Sequence, residues 1–299
     1  MVYCSQMEGE RDTMRSEREM LDLILTVARG DERVRAVWLN GSRTNPNAAE
    51  DPWRDYDVVF AVTETTSFRN DPDWACRFGT PAIVQEPDYM DAVRGDDIDL
   101  DQRYAWLMLF RDGNRIDLTV LRLDVALEQY GTDSLTRPLL DKDGILPPIP
   151  ASSDRSYWIQ APTAEDYDAC VNEFWWCLNN TAKGLRRHQL PYAMWMTYSV
   201  IHPQLVRMCE WYIGAQHGFA LSTGSHGKYF EKYLTPEEYR DFCDTYASGS
   251  EADLWRAVFV MCRLFGTLAR QTAGMLCLVY RQDWETGALG CLWEMERGR

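Results

Sequence analysis

Two aspartates one residue apart, Asp55 and Asp57, follow a Gly41-Ser42 pair across the twelve residues Arg43 to Arg54. If Asp55-Tyr56-Asp57 is extended, positions i and i+2 point to one face a few ångströms apart. Two like charges so close are costly unless a cation bridges them. Oxygen-only ligands favour Mg2+, which commonly arrives with substrate phosphates. Upstream, Gly41 allows a close backbone approach to a phosphate, and Ser42 adds a hydroxyl and an N–H. Arg43 follows, either as a further phosphate contact or as the partner of an acid such as Glu50 or Asp51. A third carboxylate lies in Arg115-Ile116-Asp117-Leu118-Thr119-Val120, where Ile116, Leu118 and Val120 alternate with Asp117 and Thr119. On a strand beside the first, Asp117 would join Asp55 and Asp57, either to hold a metal or to accept the proton of an attacking hydroxyl. The chain has only four lysines. Two of them, Lys183 in a helical stretch and Lys228 in a glycine-flanked loop, read either as surface lysines or as phosphate partners.

The elements that must position these groups are partly legible. Residues 1–15 read as a frayed tail. Ser16-Glu17-Arg18-Glu19 is a capping box, and Met20, Leu23, Ile24 and Val27 recur at helical spacing until Gly30. Val34 to Leu39 reads as a strand, Asn40 to Arg43 as a turn, residues 44–54 as a loop and Asp55 to Val62 as a second strand. Tyr104 to Phe110 and Arg115 to Leu121 form two more, joined by Arg111-Asp112-Gly113-Asn114. Residues 63–102 are ambiguous, and the acidic run Asp96 to Asp101 reads as a solvated loop or the lip of a binding site. Leu146-Pro147-Pro148-Ile149-Pro150 is stiff chain and marks a boundary. Beyond it the pattern is helical, with starts at Thr163, Pro191, Thr235-Pro236 and Ser250. The adjacent Trp175 and Trp176 face different sides of a helix, so that at least one belongs in the core and the other can line the cleft. The expectation is an α+β protein: a mixed-sheet domain over 16–149, then an α-helical domain over 150–299.

Gly-Ser, a dozen-residue gap, Asp-x-Asp and a later strand-borne aspartate resemble the polymerase-beta-type nucleotidyltransferases. Met20-Leu21-Asp22-Leu23-Ile24, Asn40-Gly41-Ser42-Arg43, Phe174-Trp175-Trp176, Ala182-Lys183-Gly184-Leu185 and Gly227-Lys228-Tyr229-Phe230 narrow the resemblance to the aminoglycoside 6-adenylyltransferases. It runs from about Met14 to beyond residue 285. The resemblance implies a nucleotidyltransferase domain completed by a helical one, and transfer of AMP from MgATP to an aminoglycoside hydroxyl, most readily of streptomycin. It implies Asp55, Asp57 and Asp117 as catalytic and metal-binding residues, and Gly41, Ser42, Arg43, Lys183 and Lys228 as nucleotide contacts. At His188-Gln189 the chain departs from the acidic residues expected of relatives.

Composition agrees with a cationic small-molecule partner. The net charge is −15, and residues 1–149 hold 29 acids against 17 bases. That excess argues against a nucleic-acid partner and suits a cationic drug. Nine scattered cysteines without a C-x-x-C pair favour reduced thiols in a cytoplasmic protein. The first residues carry no secretory pattern, and the longest apolar stretch, Leu254 to Tyr280, is broken by arginines, so no membrane span is expected. The expected assembly is a monomer or homodimer. The rival readings are a nucleotidyltransferase acting on another small molecule, a protein or RNA, and a non-catalytic nucleotide-binding module. The presence of all three carboxylates speaks against the last.

Overall fold

The computed structural model describes residues 13–298. Most of the expected tail therefore lies outside the described residues. Its end does not behave as a tail: the Arg15 guanidinium donates to Asp112 at 2.6 Å and to the Phe78 carbonyl at 2.6 Å. The chain divides into two compact units, one ending at Ser156 and the other beginning at Tyr157. Residues just past the proline-rich stretch still belong to the first unit, because Ser153 N donates to the Ser134 carbonyl at 2.9 Å and Ser156 N to Ser134 Oγ at 2.9 Å.

The first unit opens with α1 (Glu17–Gly30), whose capping box joins Ser16 and Glu19 as the sequence predicts. It continues through β1 (Val34–Asn40), β2 (Tyr56–Val62), α2 (Thr66–Arg69), β3 (Pro81–Gln85), α3 (Pro87–Arg94), β4 (Arg103–Phe110), β5 (Arg115–Arg122), α4 (Leu123–Gln129) and β6 (Arg137–Asp141). The six strands form one sheet in the order β3-β4-β5-β2-β1-β6. Only β2 and β5 run parallel; the other neighbours are antiparallel. Both faces are covered. Val58, Phe60, Leu118 and Val120 pack with Met20 and Ile24 of α1, whereas Val59, Ala61 and Leu121 pack with Trp38, Ala126 and Tyr130. Period-two geometry puts Asp57 on the face of Val59 and Ala61. That places a carboxylate at the end of a rigid, doubly buried strand.

The second unit is helical: α5 (Ala164–Arg186), α6 (Leu190–Trp195), α7 (His202–Gln216), α8 (Phe230–Tyr233), α9 (Pro236–Asp244), α10 (Glu251–Leu276) and α11 (Gln282–Glu296). Thr163, Thr235 and Ser250 accept from the N3 amide of α5, α9 and α10, as the sequence predicts. A wide π turn over Met196–Ile201 joins α6 to α7 just before Pro203, whose missing N–H cannot continue a regular ladder. The α5–α10 contact centres on Phe174 and Phe265, stacked with centroids 3.6 Å apart. No helix among the described residues is long and apolar enough to cross a membrane. Among the described residues seven cysteines are free, but Cys76 is disulfide-bonded, which departs from the expected set of reduced thiols.

Candidate active site

The parallel register of β2 and β5 sets Asp57 directly opposite Asp117, while Asn40, the last residue of β1, lies opposite Asp57 on its other side. Asp55 stands just before β2, not within it as the sequence suggests. Continued by one step, the same register brings Asp55 beside Arg115. The Arg115 guanidinium uses this. Its Nε and Nη2 donate to the two oxygens of Asp117 at 2.7 Å each, and its Nη1 lies 3.4 Å from Asp55 Oδ2. The Asp57 carboxylate has neither a hydrogen bond nor an ion pair among the described residues. Burial, then the negative charges of Asp117 and Asp55, push its carboxyl up to about 6. Burial raises Asp55 above its usual range as well.

Gly41 closes the site from β1. Its φ is +71°, and a Cβ there would lie 2.0 Å from Asp57 Oδ2. Only glycine permits both the backbone angle and the approach. The chain then turns through Gly41–Thr44, pinned by Thr44 Oγ1 donating to the Gly41 carbonyl at 2.9 Å. Ser42 is partly exposed, and its hydroxyl has no partner among the described residues. The Gly-Ser pair and the carboxylates are therefore neighbours, as the spacing suggests.

For Arg43 the sequence left a phosphate contact or an acid partner open, and the structure gives its guanidinium to protein acceptors, an acid among them. It is buried over the Tyr56 ring at 3.6 Å and donates to the carbonyls of Arg54 and Asp55 and to Glu17. Its partner is Glu17 of α1 rather than Glu50 or Asp51. Arg43 thus holds the residues entering β2, and with them Asp55, against the turn that follows β1. Sequence reasoning passed over Glu17 and Arg115. Arg115 carried a readable signal, since Arg-x-Asp on a strand puts both side chains on one face.

Lys183 and Lys228 lie in the second unit, both exposed. Lys183 is near the end of α5. Lys228 precedes α8, with its ammonium 5.2 Å from the centre of the Tyr229 ring. On α5, Trp175 is buried and Trp176 is 73% exposed. Trp176, Asn179, Trp284 and Cys291 line a cavity of about 410 Å3 between α5 and α11. His188 ends the α5 turn with φ +56°, and its Nδ1 lies 3.1 Å from Glu251. The acidic run Asp96 to Asp101 is a largely exposed loop in which Asp101 pairs with Arg69.

The donor chemistry of Asp55, Asp57 and Asp117 suits a hard divalent cation: oxygen only, with three carboxylates against one guanidinium. As they stand, no three His, Cys, Asp or Glu side chains among the described residues converge into a metal-holding group. The three-carboxylate ligand set expected from the sequence is thus an in-register pair, Asp57 and Asp117, with Asp55 tied to Arg115.

Comparison with known proteins bears on most of the chain. The family model described as streptomycin adenylyltransferase matches residues 14–289. An aminoglycoside 6-adenylyltransferase of Bacillus subtilis is 34% identical over 92% of this chain and 95% of its own. One of Campylobacter jejuni is 36% identical over 89% of this chain and 91% of its own. A solved structure of an aminoglycoside 6-adenyltransferase from Bacillus subtilis aligns over 95% of this chain and 99% of that one, at 30% identity and a TM-score of 0.46. With a family model spanning both units and relatives matched over nearly their full lengths, the chain belongs to the streptomycin adenylyltransferase family of aminoglycoside nucleotidyltransferases.

Proposed function

We propose that the chain transfers AMP from MgATP to a hydroxyl of streptomycin. The observation that carries the chemistry is the in-register pair Asp57 and Asp117 beside Gly41 and the unpartnered Ser42 hydroxyl. Asp55, Asp57 and Asp117 would hold the Mg2+. When bound, that ion neutralises charge on the attacking and leaving oxygens of an in-line displacement. The Gly41-Ser42 turn receives the phosphates with backbone N–H groups and the Ser42 hydroxyl. The acceptor oxygen bonds to the α-phosphorus, the bond from that phosphorus to the bridging oxygen breaks, and pyrophosphate leaves. Asp117 takes the proton of the acceptor hydroxyl.

Streptomycin is the acceptor best matched by charge. It carries two guanidinium groups, and carboxylates give guanidiniums charge-assisted, often bidentate bonds. The acidic excess of residues 1–149 supplies such carboxylates. Kanamycin presents ammonium groups instead and should be a poor acceptor. Incubating the full chain with MgATP and an aminoglycoside panel, followed by mass spectrometry, tests this. The expected product is streptomycin heavier by one AMP. Efficient modification of kanamycin with streptomycin untouched overturns the acceptor, and no AMP on any aminoglycoside overturns the function.

Lys183 and Lys228 are proposed as triphosphate partners. An ammonium aimed at the triphosphate interacts chiefly with the nucleotide. Lys183→Ala and Lys228→Ala should therefore each raise the KM for ATP by about tenfold, a loss of one charged contact, and leave that for streptomycin within about twofold. Steady-state kinetics with each substrate varied in turn decide it. Unchanged nucleotide kinetics in both variants would return these lysines to the solvated surface.

A further inference from the structure

We propose that Arg115 is a displaceable counter-cation, neutralising Asp55 and Asp117 until a divalent ion takes over their oxygens. The proposal rests on the reading that these aspartates hold the metal. It starts from a contrast between two arginines of the same site. Arg43 is built in: its side chain is 3% exposed, and it bonds to two backbone carbonyls as well as to Glu17. The Arg115 side chain is 42% exposed, and its polar partners among the described residues are all carboxylates of the cluster. Nothing in its bonding ties it to the backbone, so its long stem is free to carry the charge out to water.

The geometry makes the competition direct. Both oxygens of Asp117 are engaged by Arg115 at 2.7 Å, and the Asp55 oxygen nearest to it lies 3.4 Å away. A carboxylate gripped on both oxygens has one lone pair of each oxygen taken, and a cation on the lone pairs that remain would sit beside the positive guanidinium, so metal binding favours its release. Asp57, the member without a partner, is the one left to receive the ion first. The absence of a ready-made three-ligand group among the described residues fits a cluster held apart by its own guanidinium. The arrangement has a use. Three carboxylates in one place repel one another, and Arg115 offsets that repulsion while the site is without metal. Metal binding then carries the cost of releasing Arg115, which weakens the affinity for metal alone. A metal delivered with a triphosphate avoids part of that cost, because the phosphates offer the released guanidinium new acceptors.

The test needs no turnover. Mg2+ alone, and Mn2+ alone as a second probe, are titrated calorimetrically into the full chain and into Arg115→Met, Arg115→Lys and Asp57→Asn. Arg115→Met should bind metal about tenfold tighter than the parent, and in EDTA it should melt lower. Arg115→Lys keeps a charge but loses the planar fork, so its affinity should fall between the two. Should Arg115→Met fail to fold, a severalfold tightening in Arg115→Lys carries the proposal. Metal affinity equal to or weaker than the parent's in the folded Arg115 variants overturns it and leaves the reading of the aspartates standing. Asp57→Asn binding metal as well as the parent overturns the metal reading, and the proposal with it.

Discussion

Asp57→Asn should lose at least about 10^3-fold in kcat/KM and nevertheless melt higher than the parent at pH 8. The two effects have one cause. Asp57 is the partnerless member of the acidic cluster, and its carboxyl is pushed up to about 6 by burial and by Asp117 and Asp55. An acid whose folded pKa lies above its unfolded value costs stability when ionised. The cost is absent below about pH 4, where both states are protonated, grows between about 4 and 6, and is full above that. Asparagine keeps the shape and removes the charge. Discounted for partial exposure, the gain should be about 1–2 kcal/mol at pH 8, or a few degrees in melting temperature. The difference between variant and parent should shrink as the pH falls through 6 and vanish near 4. Excess Mg2+ should narrow it too, by stabilising the parent alone. Melting curves in EDTA at pH 4, 6 and 8, beside AMP-transfer kinetics, check all of this. A variant that is both active and no more stable would remove Asp57 from the site.

The pairing of Asp57 with Asp117 shows where sequence reasoning works and where it stops. Period-two alternation reveals the strands that carry Asp57 and Asp117, because the pattern is local, although it draws Asp55 into a strand that begins one residue later. That β2 and β5 are parallel neighbours in register is not local, since β3, α3 and β4 intervene. The resemblance to a known family supplied what periodicity could not. Residues 63–102 stayed opaque because their elements are short: α2 has four residues, β3 five and α3 eight. Pro138 hid β6, which is tolerable there because β6 is an edge strand with one neighbour. Arg43 stayed open between a phosphate and an acid for another reason. Beside Gly-Ser, an arginine suggests a phosphate, and no local pattern reveals that Glu17, far upstream on α1, turns it inward. The capping boxes of α1, α5 and α9 were read correctly because capping depends on four consecutive residues.

Gly41→Ala should cost about 10^2-fold or more in kcat/KM, although no atom of catalytic chemistry is removed. Glycine is required twice at this position. The φ of +71° costs an L-residue about 1–2 kcal/mol, and the new Cβ would fall 2.0 Å from Asp57 Oδ2 and 2.9 Å from its Cγ. Something has to move. The turn after β1 is pinned by the Thr44 bond to the Gly41 carbonyl, and β2 is held on both sides by strands. The Asp57 carboxylate is the softest neighbour, so it is the group displaced, and a shift of about 1 Å at a catalytic ligand is enough for the expected loss. Gly95 supplies the control. Its φ is +99°, but nothing lies within 4 Å of the Cβ that alanine would add. Gly95→Ala should lose about 1 kcal/mol of stability to backbone strain and keep its activity. Because Gly41→Ala acts through Asp57, its effect should largely disappear in the Asp57→Asn background, where the double variant should be about as inactive as Asp57→Asn alone. Kinetics of the parent, both single variants and the double variant measure that coupling. Additive losses would mean that Gly41 serves the phosphates and not the carboxylate, and a Gly41→Ala enzyme with near-parent kcat/KM would mean that the close approach to Asp57 does not matter to the reaction.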